Sequence, residues 1–174
     1  MRKEGDILGD YRLRHVVSEG RFTRTWEGEQ LSMQRIVMIE MLRSKVMRQP
    51  GLVDSFISDV RAKATVNHPG IGVVYEVFTN DEDTFFSREK LEGESLESLY
   101  QSGSRFSPLE IVVLLGQIAD AMWQLKIEKV ATVDYELHHF LIASKDEVRV
   151  MNLAVGLVRV EQIVTRTMQL LGGV

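Results

Sequence analysis

The sequence predicts an α+β domain in which an antiparallel sheet comes first along the chain and helices follow. Residues 10–29 alternate polar and apolar side chains around Gly20, and residues 35–41 form a β-branched run, which together predict three antiparallel strands. Apolar residues recur at helical spacing over residues 52–66 and 108–126, the second segment opening with the capping signal S-P-L-E at residue 107. We therefore expect about five strands with one helix packed on them, followed by a small, mainly helical lobe.

The composition restricts the class of protein. A chain of 174 residues with 44% apolar content can bury a core and suits one domain. A net charge of −4 leaves no basic excess for phosphates, so we expect no nucleic-acid partner. The chain has no cysteine and no run of about 18 apolar residues, which predicts a cytoplasmic protein without disulfides or a membrane span.

Residues 130–156 predict a hairpin that carries a loop. The loop holds Asp134 and His139, and the β-rich runs 140–143 and 148–153 are joined by a polar turn at residues 144–147. The hairpin resembles the catalytic loop, paired strands and metal-binding tripeptide of the protein kinases, with T-V-D at 132–134 in place of H-R-D and N-L-A at 152–154 in place of D-F-G.

Other segments resemble the same family in the same order. Residues 37–40, V-M-I-E, are similar to the V-A-I-K of the third kinase strand. The pattern F-x-x-D from residue 56, followed by N-H-P-G-I from residue 67, is similar to the αC helix and its exit, and K-L-E-G-E-S-L at 90–96 is close to the kinase hinge. The resemblance covers residues 10–156 and implies a kinase-like fold of the serine/threonine kinase family.

The departures from the family pattern fall on residues that would handle phosphate and metal. Glu40 replaces the phosphate-neutralising lysine, and Asp59 replaces the αC glutamate, so two acids take the place of an ion pair. His139 and Asn152 replace the two metal ligands and supply no anionic oxygen. Asp134 alone keeps its family identity. The resemblance thus implies a pseudokinase with no catalytic residue, no bound metal and no cofactor.

The remaining positions that would form the nucleotide pocket of a kinase also depart from the family pattern. The segment around Gly20 is similar to the glycine-rich loop of the kinases, but of that loop's three glycines only Gly20 remains. This favours an ordinary hairpin turn over a loop that cradles phosphate. Met38 replaces a small alanine, and Arg88 stands at the gatekeeper position beside the adenine site. Because an unpaired buried cation is costly, we expect Glu40 or Asp59 to hold Arg88 inside a collapsed pocket. His68 is expected to cap or pack only.

We predict a single kinase-like domain with an N-lobe at 1–89, a minimal C-lobe at 90–156 and a terminal helix at 157–174. The family's later helices are not encoded in this sequence, so we expect the apolar helix from residue 108 to form a homodimer, or else to be covered by the terminal helix. Charged residues at Leu114 and Ile118 should disrupt that contact, and changes at Gln117 and Asp120 should be silent.

The sequence predicts an inactive protein-interaction, scaffold or regulatory module with an unknown protein partner. One alternative is a nucleotide-binding enzyme with altered, metal-independent chemistry that uses Asp134. Another is an unrelated α+β binding domain whose likeness to kinases is accidental.

Overall fold

A six-stranded antiparallel sheet forms the first half of the protein, in a computed structural model that describes residues 2–20, 22–49, 51–130, 137–144 and 147–150. The strand order is β1-β2-β3-β4-β6-β5. The strands are β1 (Ile7–Leu8), β2 (Tyr11–Glu19), β3 (Thr23–Gln30), β4 (Arg35–Leu42), β5 (Val74–Thr79) and β6 (Thr84–Glu89), with the helices α1 (Ser44–Met47) and α2 (Leu52–Ala64) between β4 and β5.

The two faces of this sheet bury different clusters because side chains alternate along each strand. On one face, Val37 and Ile39 of β4 are fully buried with Trp26 and Phe85. On the other, α2 packs Phe56 and Val60 against the sheet, and the ring of Phe56 lies 5.7 Å from that of Phe86. Glu40 and Arg88 belong to the face that α2 covers, since Glu40 is paired in register with Phe86 and Arg88 lies two residues further along β6.

A smaller sheet and a long helix form the second half. The sheet has the order β7-β8-β9, from Glu94–Ser95, Phe140–Ser144 and Glu147–Val150. The helices are α3 (Leu96–Gln101) and α4 (Pro108–Ile127), and a single 3₁₀ turn spans Leu137–His139. Helix α4 buries Leu114, Ala121 and Leu125 against the β8–β9 hairpin. Its Gln117 side chain accepts a hydrogen bond of 2.8 Å from the backbone N–H of Val148.

Local sequence signals account for how these elements begin and meet. The Ser107 side chain accepts from the Glu110 N–H and the Glu110 carboxylate accepts from the Ser107 N–H, so the predicted capping box starts α4. Gly93, with φ of +129°, precedes β7, and a Cβ at this position would lie 2.4 Å from the Ile142 carbonyl oxygen. Only glycine fits so close to the neighbouring strand.

The predicted fold class is confirmed, with differences in detail. The sheet gains the two-residue β1, and the short helix α1 precedes α2; the sequence analysis predicted neither. The terminal helix predicted at residues 157–174 lies outside the described residues, and the lobe boundaries stay predictions. No helix in the described part of the chain is both long and apolar enough to cross a membrane.

Two expectations about α4 need correction. Within the described residues, α4 is covered on one side only, and Leu109, Val112, Leu115 and Trp123 are more than half exposed. Leu114 is buried under the hairpin instead, and Ile118 packs against the same cluster. The premise that Gln117 and Asp120 lie on a free polar face is wrong, because Gln117 binds the hairpin backbone and the Asp120 carboxylate lies 3.0 Å from His68 Nε2.

Candidate functional site

Glu40 lies where strand β4 faces helix α2. It is paired in register with Thr25 of β3 on one side and Phe86 of β6 on the other. Burial raises the pKa of the Glu40 carboxyl, while the positive charges of Arg88 and Lys63 and a hydrogen bond from Thr23 act in the opposite direction. Glu40 is therefore a carboxyl group that needs nearby cations to remain charged.

Arg88 is the first of these cations. It lies on β6, opposite Met38 of β4, and only 8% of its surface is exposed. Burial lowers the pKa of its guanidinium and the charge of Glu40 raises it, which identifies Glu40 as the acid that offsets the buried charge. Arg88 points into the protein, as the collapsed-pocket hypothesis requires. Its Nε lacks a hydrogen-bond partner among the residues that the structure describes.

Lys63 is the second cation, and the sequence analysis missed it. Its Nζ lies 3.2 Å from Asp59 Oδ2, one turn earlier on α2, and the two side chains are 3% and 7% exposed. Burial lowers the pKa of Lys63 to about 8, against the raising effect of Asp59 and Glu40. The i, i+4 spacing of Asp59 and Lys63 in a predicted helix was the signal that could have revealed this pair.

We call Glu40, Asp59, Lys63 and Arg88 the charged cluster. It contains two acids and two bases, so its formal charge is zero. The sequence predicts that Glu40 or Asp59 holds Arg88, and the structure adds Lys63 as a second base, because both acids act on its charge. Strand β4 carries Glu40 where the family resemblance implies a lysine, and helix α2 carries a base, Lys63, beside its acid, Asp59. The cluster satisfies its own charges and leaves no surplus positive charge for phosphate.

The backbone N–H and carbonyl of Gly20 both bond within the protein. The Gly20 N–H donates to the Thr23 carbonyl at 2.9 Å, and the Gly20 carbonyl accepts from Arg43 Nη1 at 3.0 Å. A Cβ at Gly20 would lie 3.4 Å from the Thr23 carbonyl oxygen, an ordinary contact, so the position does not demand glycine. These contacts support the interpretation of the segment as a hairpin turn. Met38, buried on β4, lies directly opposite Arg88.

The catalytic-loop half of the predicted site is described only at His139. Its ring lies 3.8 Å, centroid to centroid, from that of His138, and His138 Nδ1 lies 3.9 Å from the Glu97 carboxylate. Asp134 and Asn152 lie outside the described residues. His68 has the local role expected of it: its Nδ1 accepts from the Gly70 N–H at 3.1 Å. The structure thus brings together Glu40, Asp59 and Arg88 of the predicted site residues.

Comparison with known proteins agrees with this architecture. No protein-family profile matches the chain. The chain is 21% identical to the serine/threonine-protein kinase PrkC of Bacillus subtilis (strain 168) over 97% of its length and 26% of that protein. It is 25% identical to the serine/threonine-protein kinase PknA of Mycobacterium tuberculosis (strain ATCC 25618 / H37Rv) over 95% of its length and 40% of that protein.

A solved structure shares the fold. The chain superimposes on the structure titled "PpkA-294 apo form" with a TM-score of 0.74 and 17% identity, covering 93% of this chain and 66% of that one. The protein therefore has a protein kinase-like fold of the α+β class. It spans well under half the length of PrkC and PknA, so what those proteins do as whole molecules is not carried over to it.

Proposed function

We propose that this protein is a catalytically inactive kinase-like domain that acts as a protein-interaction, scaffold or regulatory module. The observation that carries the proposal is the charged cluster. Glu40 stands at the strand position where the family resemblance implies a phosphate-binding lysine. Of the two nearby cations, Lys63 lies 3.2 Å from the Asp59 carboxylate, and the charge of Arg88 acts on Glu40.

Nucleoside triphosphates carry several negative charges and need a surplus of positive charge at their phosphates. In the cluster, a phosphate would approach Glu40 and Asp59 at short range, where like charges repel strongly unless solvent screens them. The Gly20 N–H, which would otherwise donate to a phosphate oxygen, is bonded to Thr23. By the family resemblance, Met38 and Arg88 would crowd the adenine end of a nucleotide site. The kinase names of the relatives support the fold, and the charge arrangement supports the loss of nucleotide binding.

A thermal-shift panel tests this proposal. ATP, ADP and GTP at millimolar concentration, each with magnesium or manganese, should leave the melting temperature unchanged, because a ligand stabilises only in proportion to ln(1 + [L]/Kd). The Glu40→Lys variant should also stay unshifted, since one lysine restores neither the loop glycines nor the metal ligands. A shift of several degrees for the unmodified protein would favour the alternative of a nucleotide-binding enzyme that uses Asp134.

The exposed side of α4 supports an interaction role. Val112, Gly116, Ala119 and Trp123 follow one another at helical spacing and are all exposed, and Leu115 lies beside them. We call this set the α4 stripe. Burial of a few hundred Å² of apolar surface is worth several kcal/mol at about 25 cal/mol per Å². We propose that the α4 stripe pairs with its copy in a two-fold homodimer, with small residues at its centre to let the helices approach.

Sedimentation velocity decides this point. A Val112→Glu, Trp123→Glu variant should sediment as a monomer at concentrations where the unmodified protein is a dimer. A Val17→Glu variant is the control, because Val17 is also an exposed valine, 52% accessible, but lies on β2 far from α4 in the fold. A monomeric unmodified protein at about hundred-micromolar concentration would refute the homodimer; that concentration exceeds the Kd of ordinary stable dimers.

A further inference from the structure

A cavity lies in the first half of the protein and is lined by none of the residues of the charged cluster. It is a cleft of about 620 Å³ between the end of β4, the segment around α1 and the turn before β6. Its volume falls within the range of about 300–1,000 Å³ that is typical of ligand pockets. We call it the α1 cleft, and it is lined by Arg2, Arg24, Trp26, Met41, Leu42, Arg43, Ser44, Lys45, Met47, Arg48, Asp81, Glu82 and Asp83.

The charges of the α1 cleft are separated into two walls. Arg2 binds the acidic turn, at 2.9 Å from Glu82 and 3.1 Å from Asp83, so this wall carries no surplus positive charge. On the opposite wall, the side chains of Lys45 and Arg48 are exposed and make no hydrogen bond or ion pair with the residues that the structure describes. An anionic ligand would therefore be drawn toward Lys45 and Arg48 and repelled from the acidic turn.

The floor of the cleft combines apolar surface with two donors that lack acceptors. The Arg24 guanidinium lies 5.8 Å from the centre of the Trp26 ring, and both side chains are largely buried. Arg24 is paired with Glu19 at 2.7 Å, but its Nε and the Trp26 Nε1 have no hydrogen-bond partner among the described residues. Buried donors are normally satisfied.

We propose that the α1 cleft binds an acidic peptide segment of a partner protein, with carboxylates at Lys45 and Arg48 and an apolar side chain over Met47 and Trp26. The size of the cleft favours a peptide over a small inorganic anion, because about 620 Å³ is several times the volume of a phosphate ion and a single anion would fill only part of it. The proposal goes beyond the inactive-module function: the cleft shares no residue with the charged cluster, so its occupancy is independent of nucleotide binding.

The indole N–H signal of Trp26 in nuclear magnetic resonance reports directly on the floor of the cleft. The protein has two tryptophans, and a Trp123→Phe variant serves only to assign the Trp26 cross-peak, which is then followed in the unmodified protein. The probe is the synthetic peptide acetyl-EELEEF-amide, titrated to millimolar concentration. We expect a saturable shift of this cross-peak, and no shift with acetyl-QQLQQF-amide, which has the same shape without charge.

Two variants with the same change in net charge distinguish binding of the peptide in the cleft from its attraction to the overall charge of the protein. Lys45→Glu with Arg48→Glu should weaken the peptide by about tenfold or more, as expected when the cations facing a carboxylate are reversed. Arg61→Glu with Arg105→Glu changes the net charge equally at exposed positions outside the cleft and should alter the affinity by less than about twofold, the effect of distant screened charges.

Three outcomes would overturn the proposal: equal weakening by both variants, an unmoved Trp26 signal, or an equal shift with inorganic phosphate alone, which would indicate a small-anion site. Circular dichroism of each variant verifies that it is folded, since all four replaced side chains are exposed.

Discussion

Replacement of Lys63 by methionine removes one cation of the charged cluster while keeping an unbranched apolar stem of similar length. The variant leaves Asp59, whose side chain is 7% exposed, without its ion-pair partner on α2. Loss of one partner from a buried pair costs about 3–5 kcal/mol, because the remaining charge stays desolvated. We expect a loss of this size in the free energy of unfolding at pH 7.

A paired variant distinguishes the burial of an unpaired charge from general damage. Asp59→Leu together with Lys63→Met removes both charges and replaces them with apolar groups of similar volume. Such replacements are often neutral or stabilising. The double variant should therefore recover most of the stability lost by Lys63→Met alone.

The pH dependence gives an independent measure of the same pair. Because the pKa of Lys63 is lowered to about 8 in the folded protein and is 10.5 in the unfolded chain, the unfolded state binds more protons between these values. Stability contributed by this group therefore rises from about pH 8 to pH 10.5. At about 1.4 kcal/mol per pKa unit, the gain amounts to about 3 kcal/mol.

Urea unfolding followed by tryptophan fluorescence, at half-unit steps from pH 7 to pH 10.5, measures this gain. The unmodified protein should gain stability over the interval, and the Lys63→Met variant should lack that component. Parallel pH profiles of the two proteins would refute the assignment of a depressed pKa to Lys63.

Three further substitutions test the second half of the fold by urea unfolding. Gly93→Ala should cost about 2 kcal/mol or more, because it adds a clash with the Ile142 carbonyl to a strained φ. The control is Gly103→Ala, at a φ of +77° with no heavy atom within 4 Å of its Cβ, which should cost about 1 kcal/mol. Equal costs would contradict the clash. Ser107→Ala should cost about 1 kcal/mol through loss of the capping box, and an unchanged midpoint would mean that the cap contributes nothing. Gln117→Leu should cost about 1–3 kcal/mol because it leaves the Val148 N–H without its acceptor, and a stability within error of the unmodified protein would exclude that role.

Much of the fold could be predicted because local patterns and tertiary packing agree. The alternation that predicts β2 and β3 is the same alternation that divides the sheet into two buried faces. The S-P-L-E signal predicts the start of α4 because the cap depends on residues three positions apart. By contrast, β1 has only two residues and is defined by its pairing with β2, which no local pattern reveals.

The site was less predictable because its electrostatics depend on side chains from separate elements. The positions of Glu40 and Asp59 followed from the resemblance, but the partner of Asp59 was the one cation on α2 that packing turns inward. A lysine such as Lys63 is expected from the sequence to be exposed to solvent, but it is buried in the structure. The α1 cleft was missed for a similar reason, since it combines the N-terminus, two strands, the α1 segment and a turn that are distant in sequence.

Isothermal titration calorimetry of ATP with magnesium into the full chain tests the central claim most directly. The charged cluster predicts no saturable heat at millimolar nucleotide, for the unmodified protein and for Glu40→Lys alike. Saturable binding of ATP to the unmodified protein would contradict the claim that the charged cluster, with its formal charge of zero, prevents nucleotide binding.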